Sequence, residues 1–222
     1  MAIRSSRNSK AAGAAPSRPQ GKPRGRVGLA QQVRIIGGQW KRTPLPVPDG
    51  EGLRPTPDRV RETVFNWINH LIDGGWTRID CLDAFAGTGV LGFEAASRGA
   101  HRVVMVDNHA SALRQLAATR DKLRAEQIEI VRGDALAVLQ DMQRRETQFD
   151  LIFLDPPYRH DWLERAVPLC RPLLRRDGLL YVESETPLDP ESGPAWLQDW
   201  EILRADKAGM VFYHLLRSKT LP

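Results

Sequence analysis

From residue 78 onward the chain alternates short apolar runs with longer segments of helical period. Runs of four to eight apolar residues between turn signals are buried strands, and apolar residues at i, i+3, i+4 and i+7 mark helices packed on them. The spacing predicts strands over Arg78–Phe85, Arg102–Asp107, Ile128–Arg132, Phe149–Leu154 and Gly178–Glu183. Helices are predicted over Val90–Arg98, Ala110–Glu126, Ala135–Arg145 and Trp162–Leu174. Such alternation leaves few solutions: an α/β fold, with a mostly parallel sheet covered by helices on both faces. Two last strands, Glu201–Arg204 and Met210–Arg217, joined at Lys207-Ala208-Gly209, make the sheet edge antiparallel.

Function in such a sheet gathers at the carboxyl ends of the strands, and this chain places acids there. Asp83 precedes Ala84-Phe85-Ala86-Gly87-Thr88-Gly89, a glycine loop that opens a helix. Gly87, Gly89 and Gly92 fit the G-x-G-x-x-G pattern of dinucleotide sites, a weak signal when it stands alone. Asp83 argues against a dinucleotide, because its charge repels a pyrophosphate and suits an ammonium. The loop also lacks the Gly-Lys-Ser/Thr ending of a nucleotide P-loop. Asp107 ends the second strand, where a carboxylate can hold two ribose hydroxyls, with Asn108 placed to help. Asp134 follows the third strand and can accept from an adenine amino group. Each acid alone is commonly a loop residue or a helix cap. Three at successive strand ends describe a ligand with an ammonium, a ribose and an adenine but no phosphate, which is S-adenosylmethionine.

The fourth strand runs into Asp155-Pro156-Pro157-Tyr158. The two prolines stop the strand and stiffen the turn. The Asp155 side chain and the Pro156 carbonyl can accept both hydrogens of an exocyclic amine. Tyr158 can stack on the ring that bears it, an interaction worth roughly 1–3 kcal/mol per base.

Upstream, Thr56-Pro57-Asp58 reads as a helix start with Thr56 as the cap. Val60, Val64, Trp67, Ile68 and Leu71 then form one apolar face. Val33–Ile36 and Trp40–Val47 flank Gly37-Gly38 as a small hairpin, its prolines limiting it to an edge. The 222 residues carry a net charge of +5, spread unevenly. Residues 1–48 hold 10 Lys and Arg and no Asp or Glu, the pattern of a nucleic-acid-binding arm or of a solvated tail. Residues 1–30, rich in Ser, Ala, Gly and Pro, are expected to be disordered until bound. The domain plan is therefore a basic arm at 1–30, a hairpin extension at 31–55 and a folded domain at 56–222. No apolar run reaches the roughly 20 residues that span a bilayer. Cys81 and Cys170 have neither metal-ligand spacing nor a disulfide framework, so a cytoplasmic, metal-free chain is expected.

Taken together, Asp83–Gly89 and Asp155–Tyr158 resemble the class I S-adenosylmethionine methyltransferases that modify exocyclic amines of nucleobases. The upstream block is more specific. Ile35-Ile36-Gly37-Gly38-Gln39-Trp40-Lys41, the stretch from Leu53 to Trp67, and Tyr181-Val182-Glu183-Ser184-Glu185 resemble the bacterial 16S rRNA guanine-N2 methyltransferases of the small subunit. The resemblance covers about residues 33–217. It implies a seven-stranded Rossmann-like sheet with a hairpin extension. It also implies methyl transfer to the 2-amino group of one guanine in a partly or fully assembled small subunit, by a protein expected to be monomeric. Carried over by motif, Asp83, Phe85, Gly87, Gly89, Asp107, Asn108 and Asp134 belong to the cofactor, and Asp155, Pro156 and Tyr158 to the flipped guanine. Lys41, Arg42, Arg54, Arg59 and Arg61 are expected on RNA phosphates. Glu183 receives no role. The platform cannot by itself name its base, so adenine-N6 methylation stays open, as does an RNA-binding assembly factor without catalysis.

The arm can be tested directly. Deleting residues 1–30 removes Arg4, Arg7, Lys10, Arg18, Lys22, Arg24 and Arg26. Affinity for small-subunit particles is expected to fall. The slope of log affinity against log salt should fall too, by roughly 0.7–0.9 for each phosphate that the arm had neutralised. Particle binding at several salt concentrations checks this; an unchanged slope means that the segment is a solvated tail.

Overall fold

A computed structural model describes residues 1, 32–47, 56–157 and 161–219. The arm at 2–31 and the hairpin-to-domain boundary at 48–55 lie outside the described residues, as do Arg54 and Tyr158.

Seven strands form one sheet. They are β3 (Asp80–Asp83), β4 (Arg102–Asp107), β5 (Ile128–Arg132), β6 (Phe149–Leu154), β7 (Leu174–Ser184), β8 (Trp200–Ala208) and β9 (Val211–Ser218). Their order is β5-β4-β3-β6-β7-β9-β8. The first five run parallel, and β9 is antiparallel to both neighbours. The helices are α1 (Asp58–Leu71), α2 (Val90–Ser97), α3 (Ala110–Leu123), α4 (Ala135–Arg144) and α5 (Trp162–Cys170). A separate hairpin pairs β1 (Gln32–Arg34) with β2 (Pro44–Pro46). Among the described residues no helix is long and apolar enough to cross a membrane.

The strand period of two divides the core. Cys81, Val103, Met105, Leu151, Phe153 and Tyr181 face one side, with α1, α2 and the hairpin residues Ile35 and Leu45. Leu82, Val104, Val106, Ile152, Leu154 and Val182 face the other, against α4 and α5.

Glu94 ties the upstream segment to the sheet. It is fully buried and is the one charged residue on α2. Its Oε2 accepts the Ile36 N–H at 2.8 Å, and Arg98 donates to its Oε1 at 3.0 Å. The Arg61 guanidinium lies 3.7 Å away. One turn on, Ser97 donates to the Gly37 carbonyl at 2.6 Å and accepts the Trp40 N–H at 2.9 Å. Gly38 has φ +72°, and a Cβ there would sit 1.9 Å from the Ser97 carbonyl oxygen. Only glycine allows this approach, which accounts for the Gly37-Gly38 pair.

Two expectations for the upstream helix are corrected. Thr56 does not cap α1: its hydroxyl turns to Glu183 and Asp155, and Pro57 occupies the cap position without a side-chain bond. Arg61 is not an RNA contact. It is fully buried, donates to the Thr56 carbonyl at 3.1 Å and pairs with Asp58 at 2.6 Å. Burial pushes its pKa down, with the Asp58 and Glu94 charges opposing.

Candidate active site

The sheet order lines up five acids, one at the carboxyl end of each parallel strand: Asp134 after β5, Asp107 on β4, Asp83 on β3, Asp155 after β6 and Glu183 on β7. Adjacent ends are stitched together. The Gly133 N–H donates to the Asp107 carbonyl at 3.0 Å, Ala86 to Val106 at 2.9 Å and Ala84 to Phe153 at 3.1 Å. In the glycine loop, the Gly87 N–H donates to Asp107 Oδ2 at 2.8 Å. Gly87 and Gly89 have φ of +52° and +75°, and Gly89 begins α2.

Asp83 is 1% exposed. Its Oδ2 accepts the Gly92 N–H at 3.1 Å, while its Oδ1, also buried, has no partner among the described residues. Burial raises its pKa to about 7; the Gly92 N–H opposes this and the Asp107 charge adds to it. An unpartnered buried carboxylate oxygen asks for a cationic or N–H donor from outside the chain. Asp107 Oδ1 accepts the His109 N–H at 2.7 Å and lies 3.2 Å from the His109 ring Nδ1, while Oδ2 holds only the Gly87 N–H and retains a lone pair. Asp134 caps α4 through Oδ1 and Ala137 at 3.0 Å, leaving Oδ2 open to solvent. Asn108 is exposed, and Phe85 meets Trp162 edge-on with ring centroids 5.4 Å apart. This half of the site therefore presents an acid, two left-handed glycines and two accepting carboxylates in a row.

The other half is a carboxyl pair. Glu183 is 4% exposed, whereas Asp155 keeps an accessible edge. Thr56 Oγ1 lies 2.7 Å from Glu183 Oε1 and 3.3 Å from Asp155 Oδ2. The Tyr181 hydroxyl donates to the same Glu183 oxygen at 2.8 Å. Burial and then the Glu183 charge push the Asp155 pKa well up. Glu183 is raised by burial and held back by Thr56 and Tyr181. Beside the pair opens a cavity of about 530 Å³, lined by Pro156, Pro157, Trp162, Glu183, Ser184 and Trp196 among others, a size that takes a small planar ligand. Sequence reasoning gives Glu183 no role although a signal is present: it ends a buried strand as the other four acids do. Of the cations expected on RNA, Lys41, Arg42 and Arg59 are exposed. Among the described residues no group of three or more His, Cys, Asp or Glu could hold a metal ion.

Comparison with known proteins gives this arrangement relatives. The family model described as conserved hypothetical protein 95 matches residues 33–217. The ribosomal RNA small subunit methyltransferase D of Escherichia coli K12 is 40% identical over 186 residues, covering 83% of this chain and 89% of its own length. That of Haemophilus influenzae is 38% identical over 191 residues, 84% and 94% of the two chains. Among solved structures, the Escherichia coli protein yhhF, described provisionally as a methyltransferase, superposes with a TM-score of 0.71 at 36% identity. It covers 85% of this chain and 99% of its own.

The strained charge of Asp83 has a measurable consequence. Its folded pKa of about 7 lies above the unfolded value of about 4. The folded state then binds more protons than the unfolded one between these values, so the contribution of Asp83 to stability is full below about pH 4 and lost as pH rises to about 7. Thermal unfolding of Asp83→Asn is expected to gain on the parent across that interval and level off above it. A constant difference from pH 4 to pH 7 would contradict the assignment.

Proposed function

The chain belongs to the family of the Escherichia coli and Haemophilus influenzae ribosomal RNA small subunit methyltransferases D, and from that premise we propose that it methylates the 2-amino group of one guanine in small-subunit rRNA. The observation that carries the reading is the carboxyl of Asp155, 3.3 Å from the Thr56 hydroxyl and at the start of the Pro156-Pro157 turn that lines the cavity. The cofactor is S-adenosylmethionine, which supplies an electrophilic methyl group on a positively charged sulfur. The unpartnered Oδ1 of Asp83 is the acceptor for its ammonium. Gly87 and Gly89 admit close approach of the methionine part, and Phe85 closes that side of the loop. Asp107, through Oδ2 and with Asn108, has accepting capacity left for the ribose hydroxyls, and the open oxygen of Asp134 suits the adenine amino group.

Asp155 and the Pro156 carbonyl accept the two N–H groups of the target amine. That draws its lone pair out of the ring and aims it. Tyr158 stacks on the base. Positioning and electrostatics then supply most of the rate. A guanine in folded RNA has to be swung out to reach such a pocket. Lys41, Arg42, Arg54 and Arg59 serve as phosphate contacts that fix register, and the basic arm at 1–30 adds salt-sensitive affinity ahead of the hairpin at 31–55 and the catalytic domain at 56–222. The substrate is the 16S rRNA of a partly or fully assembled small subunit, met by a monomer in the cytoplasm.

The test is Asp155→Ala. Methyl transfer to small-subunit particles is expected to fall by roughly 10²–10³-fold. S-adenosylmethionine affinity, measured by calorimetry, should stay at the parent value, because every cofactor group lies on other strands. Turnover within a few-fold of the parent would remove Asp155 from the reaction.

A further inference from the structure

Glu183 lies beside the reacting group of the reading above, and the inference drawn for it rests on that reading. Three distances define its state. Thr56 Oγ1 and the Tyr181 hydroxyl approach one and the same oxygen, Glu183 Oε1, at 2.7 and 2.8 Å. Asp155 Oδ2 lies farther from Thr56, at 3.3 Å. Thr56 has a single hydroxyl hydrogen, and the shorter distance assigns it to Glu183. Glu183 thus receives two hydrogens on one oxygen, the environment of an ionised carboxylate. Both carboxyl groups lie within hydrogen-bonding reach of the one Thr56 hydroxyl, so they are immediate neighbours. Two anions this close in a poorly hydrated site repel each other, and one proton held between them relieves the repulsion. With Glu183 served by two donors, the proton resides on Asp155.

We propose that Glu183 is the terminal proton acceptor of methyl transfer, acting through Asp155 as a relay. The un-ionised Asp155 accepts one amine N–H on its carbonyl oxygen and donates its own O–H to Glu183. As the amine nitrogen bonds the methyl carbon, the carbon–sulfur pair leaves with sulfur and the nitrogen becomes positive. The N–H bond breaks, and its proton goes to the Asp155 carbonyl oxygen. The other Asp155 O–H breaks in step, and that proton goes to Glu183. Asp155 is un-ionised before and after, and Glu183 passes from carboxylate to acid. The proton then leaves through the cavity that Glu183 lines. A second carboxylate thereby never has to persist next to Glu183 at the amine itself.

The surroundings favour this division of roles. Burial and the Glu183 charge push Asp155 well up, whereas Thr56 and Tyr181 hold Glu183 lower. The other titratable groups facing the pair are Asp83 from β3 and Tyr213 from β9, the register partner of Glu183. The cation on α1 behind Thr56, Arg61, is engaged with the Thr56 carbonyl, Asp58 and Glu94. Glu183 acts at one remove and positions the proton; it does not touch the base.

Glu183→Gln keeps an oxygen for Thr56 and Tyr181 but cannot take a proton. Its kcat on small-subunit particles is expected to drop roughly 10²–10⁴-fold, the scale of a missing general base, with KM and S-adenosylhomocysteine affinity unchanged. The acid limb of the parent's pH–rate profile, where a second proton enters the pair, should be missing from the residual rate. Tyr181→Phe keeps Glu183 but removes a donor to its ionised form, so there the acid limb should move to higher pH. A Glu183→Gln enzyme with parental kcat, or a Tyr181→Phe profile that coincides with the parent's, overturns the proposal, and the second result does not depend on how well the first variant folds. If the parent itself makes no methylated guanine, the activity reading fails and the relay with it; if it does, only the relay is in question.

Discussion

One hydroxyl, that of Thr56, lies between two carboxyl groups that the sheet brings together, 2.7 Å from Glu183 and 3.3 Å from Asp155. A parallel sheet ends its strands on one rim, and this chain ends five in a row with an acid. Buried acids repel one another and lose hydration. The fold tolerates them because the segment before the sheet brings partners: Thr56 for the carboxyl pair, the Ile36 N–H and Arg61 for Glu94. The hairpin and α1 are thus the other half of the site's electrostatics, docked on the helix that the glycine loop opens. Asp83 is the exception, with one oxygen left unmatched among the described residues, the place where the proposed cofactor's ammonium fits.

The sheet could be read from the sequence where strands are bounded by sharp turn signals. β4, β5 and β6 begin and end where the apolar runs Arg102–Asp107, Ile128–Arg132 and Phe149–Leu154 predict. β7 starts at Leu174, ahead of the predicted Gly178, because Arg175 on its polar first half pairs with Asp80 and Asp150 at the opposite end of the sheet. α5 runs through Pro168 but stops at Cys170 and tightens into a 3₁₀ turn around Pro172, where a second proline four residues on removes another helical N–H. The last hairpin is longer than Glu201–Arg204 suggests. Its cross-strand pairs carry polar residues such as Asp206, which accepts from Tyr213 at 2.9 Å, so no apolar run marks its length.

The site was legible in the residues that chemistry demands at strand ends, and illegible where a role depends on a partner far along the chain. Thr56 and Glu183 are separated by 127 positions. Locally, Thr56-Pro57-Asp58 has every mark of a helix start, and tertiary structure overrides the cap. Arg61 sits among Arg54 and Arg59 and looks like part of a basic patch. The contrary signal is Glu94, the one charged residue on a helix that is buried throughout, which requires a buried cation.

The acids are fixed in place by the sheet; on the proposed reading, the base is chosen in the cavity that Pro156 and Glu183 line. The product of the reaction tests this most directly. The purified protein is incubated with small-subunit particles and S-adenosylmethionine labelled in the methyl group, and the RNA is digested to nucleosides. All label is predicted in N2-methylguanosine. Label in N6-methyladenosine, or no transfer by a protein that binds the cofactor normally, would contradict it.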